Sequence, residues 1–162
     1  MKMESKVEEK ISKNKETSEK KLLAVIRISG ILHVRKDMAD TLDRLMLRRK
    51  YSCVLISSNN KNLLGMLKKV RNFVSYGTID NNILEKLIKE RGKSVEGNKR
   101  KVKIDYNEVV KGLIEGKKLN EFGLKPFFRL HPPRGGIKSK MHYPKGVLGE
   151  NKEINKLIER ML

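Results

Sequence analysis

The sequence predicts an α+β fold: a βαβαβ core, then a mainly helical extension carrying an extended basic arm rich in proline and glycine. Three observations predict it. Over residues 22–79, short apolar runs ending at turn residues alternate with segments whose apolar residues recur at helical spacing. From residue 80 onward three further helical periods follow. Between Phe122 and Gly149 that periodicity stops, acidic residues disappear, and Pro126, Pro132, Pro133 and Pro144 accumulate.

Leu22 to Ile28 is an apolar run stopped by Gly30 and reads as a buried strand. Asp37 is expected to cap a helix reaching about Leu47, with Met38, Leu42, Leu45 and Met46 on one face. Arg48, Arg49 and Lys50 follow at its C-terminus, where the helix dipole favours cations. Tyr51 to Ile56 is the second strand, and Ser57, Ser58 and Asn59 form a turn. A second helix spans about Asn60 to Phe73. Plotted at about 100° per residue, Leu63, Met66, Leu67, Val70, Phe73 and Val74 share one side, opposite Lys61, Asn62, Gly65, Lys68, Lys69 and Asn72. A mid-helix glycine costs roughly 0.5–1 kcal/mol relative to alanine. Close approach of a phosphate between Lys61, Lys68 and Lys69 would offset that cost; the plainer alternative is a neutral surface glycine. Val74 to Ile79 is the third strand. This order fits a ferredoxin-like βαβαβ core, a three-stranded antiparallel sheet with both helices on one face. The opposite face stays available for a ligand or for the rest of the chain.

In the extension, Asp80 is expected to cap a helix that buries Ile83, Leu84, Leu87 and Ile88 and ends near Gly92. Residues 92–103 are Lys- and Gly-rich and read as a surface loop. Asp105 and Glu108 have capping-box spacing at the head of a helix burying Val109, Val110, Leu113 and Ile114. Phe127 to Leu130 is a possible strand before the Pro132–Pro133 stop, and a last helix from about Asn151 uses Ile154, Leu157, Ile158 and Met161. Residues 1–21 are Lys/Glu-rich and without aromatics, which suits a flexible tail. The expected organisation is therefore a tail at 1–21, a core at 22–79, and an extension at 80–162 with its arm at 122–149.

The distribution of charge points to the partner. The 162 residues carry 38 Lys and Arg against 19 Asp and Glu, a net charge of +19. Residues 44–79 hold eight basic groups and no acid, and residues 122–149 hold six and none. Together these two blocks supply +14 of the net charge. Cations without counter-charges self-repel unless a polyanion neutralises them, and nucleic acid is the expected partner. A membrane is the weaker candidate, because no apolar run approaches the roughly 20 residues of a spanning helix. No signal peptide is evident. The lone Cys53 excludes an intrachain disulfide, suits a reducing compartment, and sits among apolar neighbours as a small core residue.

No catalytic constellation assembles. His33, His131 and His142 lack metal-ligand spacing from one another or from Cys53. There is no phosphate-binding loop, dinucleotide fingerprint or nucleophile elbow, so neither cofactor nor small-molecule substrate is expected. A ribonuclease using His131 and His142 as acid and base is a remote alternative. A DNA-binding regulator built on the helices at 81–91 and 106–115 is the other. Their connection is longer than the roughly three to four residues of a helix-turn-helix, and Asn107, Lys111 and Glu115 make the second helix too acidic for a groove reader. The candidate RNA contacts are Arg48, Arg49, Lys50, Lys61, Gly65, Lys68 and Lys69 in the first block. In the second they are Arg129, His131, Arg134, Gly135, Gly136, Lys138, Lys140, His142 and Lys145. Cations there meet phosphates, while the histidines and Tyr143 stack on splayed bases.

Several stretches in this order carry a resemblance: Ala24-Val25-Ile26-Arg27-Ile28-Ser29-Gly30, Thr41-Leu42 with Leu45, Leu64-Gly65-Met66-Leu67-Lys68-Lys69-Val70, Phe73-Val74-Ser75-Tyr76-Gly77, and Arg129-Leu130-His131-Pro132-Pro133-Arg134-Gly135-Gly136. Over about residues 22–162 the chain resembles the universal large-subunit ribosomal protein L-thirty family in its long archaeal form, whose eukaryotic relatives are called L-seven. The bacterial form resembles only the βαβαβ core. The resemblance implies a non-enzymatic structural component of the cytoplasmic ribosome, seated on large-subunit rRNA near the 5S rRNA. It also implies neighbouring ribosomal proteins as partners and a monomer within the particle. Gly65, Lys68 and Lys69 match the family's basic helix, and Arg134, Gly135, Gly136 and Lys138 match its RNA-facing arm.

Overall fold

A computed structural model of the chain describes residues 21–95 and 106–162. The strands β1 (Leu22–Arg27), β2 (Ser52–Ser57) and β3 (Val74–Thr78) alternate with the helices α1 (Lys36–Arg44) and α2 (Lys61–Val70). Helices α3 (Asn81–Arg91) and α4 (Tyr106–Glu115) follow, then a 3-10 turn at Leu119–Phe122. Two short strands, β4 (Phe128–Arg129) and β5 (Gly149–Glu150), precede the last helix, α5 (Ile154–Glu159). The expected tail up to Lys20, the loop from 96 to 103, the Asp105 cap and the side chain of Ile114 lie outside the described residues.

The expected three antiparallel strands form the centre of a five-stranded sheet of order β4-β2-β1-β3-β5. β1 pairs antiparallel with both neighbours, setting Val25 against Val54 on one side and Tyr76 on the other. β4 joins antiparallel to β2, with Ser52 opposite Arg129 and Cys53 opposite Phe128. Residues 128–129 thus belong to the sheet, and Pro126, which lacks an N–H, cannot extend the ladder further. β5 joins parallel to β3 at the opposite edge.

Strand alternation divides the apolar residues between two layers. On one face Val25, Val54, Ile56 and Val74 pack with Leu42, Leu45 and Leu47 from the α1 region and with Leu67 and Val70 from α2. On the other, Ala24, Ile26 and Cys53 pack with Leu84, Leu87 and Ile88 of α3, Val109, Val110 and Leu113 of α4, and Ile154, Leu157 and Ile158 of α5. The sheet face left open by the βαβαβ core is therefore covered by the extension. Cys53 is fully buried there, and burial pushes its thiol up to about 12.

Three local expectations are corrected. Asp37 does not cap α1: Arg35 holds the N-cap position, and Asp37 lies in the first turn, 3.9 Å from the Arg35 guanidinium. Met46 is not on the buried face. The helix ends at Arg44, and Met46 takes a left-handed φ of 59°. The Met46 and Leu47 N–H groups donate to the Asp43 and Leu42 carbonyls at 2.9 and 2.8 Å, a Schellman closure that buries Leu47 and turns Met46 outward. Tyr51, with φ 64°, belongs to the turn before β2. Asn60, by contrast, caps α2 with its side chain, accepting from the Leu63 N–H at 3.3 Å.

Candidate nucleic-acid interface

The first basic group is anchored from inside. Arg27, at the end of an otherwise apolar strand, is only 3% exposed. Its guanidinium donates to the carbonyls of Leu47 (2.7 Å), Gly30 (2.8 Å), Ser29 (3.0 Å) and Arg48 (3.1 Å). Burial lowers its pKa from the ordinary arginine value, with Asp43 opposing the shift. The fork therefore ties the β1–α1 loop to the turn that presents Arg48, Arg49 and Lys50, all exposed. Lys50 Nζ lies 4.7 Å from the centre of the Tyr51 ring, a cation–π contact. Tyr51 accepts from the Leu130 N–H at 3.0 Å, and Arg129 lies opposite Ser52. β4 thus brings exposed Arg129, from the second acid-free block, beside the Arg48–Lys50 turn of the first.

The second group lies on α2. Lys61, Gly65, Lys68 and Lys69 are exposed on its outer side. A Cβ built on Gly65 meets nothing within 4 Å, so no packing in the molecule requires glycine there. The arm reaches this helix through His142, whose Nε2 lies 3.0 Å from Asn72 Oδ1, just past the end of α2. The His142 carbonyl accepts from the Gly146 N–H at 3.1 Å, closing the turn that carries Lys145. No hydrogen bond or ion pair among the described residues ties this group directly to the Arg48–Lys50–Arg129 group.

The third group is the Pro-Gly turn. Gly135 and Gly136 adopt φ values of 76° and 68°, a left-handed pair that side chains disfavour. The exposed Arg160, just past α5, fastens the turn: its Nε and Nη2 donate to the Arg134 carbonyl at 2.9 and 2.7 Å, and Nη2 donates to the Gly136 carbonyl at 2.6 Å. The Arg134 and His131 N–H groups donate to the Arg160 and Met161 carbonyls. With the backbone held, the Arg134 and His131 side chains stay exposed, as do Lys138 and Lys140 on either side of Ser139. The arm contains no helix, yet it is fastened to the body along its length.

All sixteen predicted contact residues are exposed. Among the described residues, only Arg48 of their cations lies within ion-pair distance of a carboxylate, 3.9 Å from Asp43. Sequence reasoning passed over Arg27 and Arg160, which position the basic turns. Arg27 had a signal, a lone charge inside a strand pattern. Arg160 had none, because a basic residue at a helix end is ordinary. Among the described residues no group of three or more potential metal ligands occurs, and no helix is long and apolar enough to cross a membrane.

Residues 23–74 match the family model of Ribosomal protein L30p/L7e. The chain is 40% identical to large ribosomal subunit protein uL30 of Archaeoglobus fulgidus, over 86% of this chain and 99% of that protein. It is 39% identical to the uL30 of Methanococcus vannielii, over 86% of this chain and 98% of the relative. With the uL30 of Nanoarchaeum equitans the identity is 38%, over 87% and 99%. The chain belongs to the L30p/L7e family. Because the similarity runs over nearly the whole of these archaeal proteins, membership extends past the core that the family model matches to the long archaeal form. The L30p/L7e family is a structural, non-enzymatic one, as the resemblance implied.

Proposed function

We propose that the chain is a structural constituent of the large ribosomal subunit that binds and stabilises folded rRNA. The observation that carries this reading is the set of sixteen exposed residues whose cations, Arg48 excepted, have no carboxylate partner among the described residues. Lys and Arg neutralise phosphates that RNA tertiary folding brings close, releasing counterions. The shared core fixes the spacing between the Arg48–Lys50–Arg129 group, the α2 row with His142, and the Arg134 turn. Recognition is chiefly of RNA shape, with His131, His142 and Tyr143 stacking on unpaired bases. The family resemblance supports a cytoplasmic, monomeric position near the 5S rRNA, among neighbouring ribosomal proteins. In this reading 22–79 is the core and 80–162 the extension, with 122–149 as the RNA-facing arm.

Sedimentation of the full-length protein through sucrose gradients tests this. The protein is expected to travel with large subunits at low salt and to be released as salt rises. With about eight phosphates contacted, log affinity for large-subunit rRNA falls against log salt with a slope of about −6 to −7. Migration free of subunits at low salt, or with duplex DNA, counts against the reading. RNA cleavage abolished by His131→Ala would favour a ribonuclease instead.

A further inference from the structure

A cavity of about 230 Å³ opens between α2 and the β3–β5 edge of the sheet, sharing only Lys68 with the sixteen residues discussed above. Leu23, Leu64 and Leu67 form its aliphatic wall, Tyr76 supplies an aromatic one, and Lys68 and Lys152 contribute cations. We propose that this cavity takes an unpaired nucleobase of the rRNA, an inference that rests on the RNA-binding reading.

Three features support a base over other occupants. The first is continuity with the basic face of α2. At about 100° per residue, Leu64 stands about 40° from Lys68, and Gly65 about 60° further round. A nucleic-acid backbone lying on Lys61, Gly65 and Lys68 therefore has the cavity mouth directly beside it. Leu64 is a half-buried aliphatic on the margin of this polar side, where a surface helix would ordinarily carry a polar residue.

The second feature is wall chemistry. A flat apolar ring needs stacking and dispersion surfaces, which Tyr76 and the leucines provide. Burial first, then the charge of Glu150, raises the Tyr76 phenol, which stays a neutral hydrogen-bonding group at pH 7. The third is edge readout. β5 runs beside β3 to the Tyr76–Glu150 pair, and Asn151 donates its N–H to the Tyr76 carbonyl at 2.8 Å. Thr78 and Glu150 line the same cavity, residue types that can offer a hydroxyl and an acceptor to the amino and imino groups of a base. The two lysines suit an anionic nucleotide better than an acidic-poor protein loop.

Photocrosslinking in assembled large subunits tests the proposal. Full-length protein carries p-benzoylphenylalanine in place of exposed Thr78, and a second sample carries it in place of Lys138 in the arm. The Thr78 probe is expected to attach to one unpaired rRNA nucleotide, and the Lys138 probe to rRNA elsewhere. If the Lys138 probe reaches rRNA while the Thr78 probe attaches to protein, to paired nucleotides or to nothing, the cavity proposal is overturned and the interface stands. If neither reaches rRNA, both are overturned. Narrowing the cavity by Leu64→Phe should weaken binding to the captured rRNA segment about tenfold, the loss of one stacked base. The salt slope should stay unchanged, because the phosphate contacts remain. Unchanged affinity in a folded variant also overturns the proposal.

Discussion

Two arginines hold two of the basic turns of this protein, and they do so from opposite sides of the surface. Arg27 is buried and donates to four carbonyls of the β1–α1 loop and the Arg48 turn. Arg160 is exposed and donates to two carbonyls of the Arg134–Gly136 turn. Neither uses a carboxylate partner among the described residues; both spend a guanidinium on the main chain. The difference lies in what replaces the donor when it is removed. The Leu47 carbonyl loses its partner in the interior, where an unsatisfied polar group is costly, and those of Ser29, Gly30 and Arg48 lose theirs at the partly buried margin. Carbonyls around Arg160 regain water. One turn is thus part of the fold, and the other is attached to it.

The largest effect follows from the buried arginine. Arg27→Met should lower unfolding stability by about 3 kcal/mol, read from urea denaturation, since charged hydrogen bonds to one buried and three partly buried carbonyls are lost together. Arg27→Lys should recover less than half of it, because an ammonium cannot reproduce a planar fork. A loss under about 1 kcal/mol for Arg27→Met would erase the contrast between the two turns.

The glycines sharpen the comparison next, because they differ in the same way. Gly136→Ala should destabilise by about 1 kcal/mol, the left-handed backbone penalty, unless the turn rearranges. Gly65→Ala should do the reverse. It lies in a regular helix with open space around it, so alanine should stabilise by roughly 0.5–1 kcal/mol. If Gly65 serves close approach of a phosphate, the same variant should bind large-subunit rRNA more weakly despite its greater stability. Equal or tighter rRNA binding would make Gly65 a neutral surface glycine.

How much of this was legible in the sequence depended on length and periodicity. β1, β2, β3 and α2 repeat their pattern for five or more residues, and each was placed to within a few residues. β4 and β5 are two residues each, too short to show alternation, and their pairing is decided by what lies across the sheet. Met46 was assigned inward because helical periodicity ran on. The left-handed closure that ends the helix needs a backbone angle that methionine does not announce. The basic contact residues were legible because charge without counter-charge is a surface property in any fold. What positions them was not: Arg27, Arg160 and Asn72 act on groups 20 to 70 positions away in the chain.

The smallest global effect belongs to the exposed arginine. Arg160→Ala should change unfolding stability by less than about 1 kcal/mol, since water can satisfy the Arg134 and Gly136 carbonyls. Its local effect should be larger. The Arg134 N–H, which donates to the Arg160 carbonyl, and the Gly136 N–H, which donates to the Pro133 carbonyl, lie in the turn that the guanidinium closes. Amide hydrogen exchange at both should speed up severalfold while the β1–β3 amides stay protected, because local opening no longer has to break the fork. Affinity for large-subunit rRNA should then fall through the entropy of ordering the freed turn, with the salt slope unaltered. Equal loss of protection in the turn and in β1 would mean that Arg160 belongs to the cooperative fold as Arg27 does, and the distinction between the two anchors would disappear.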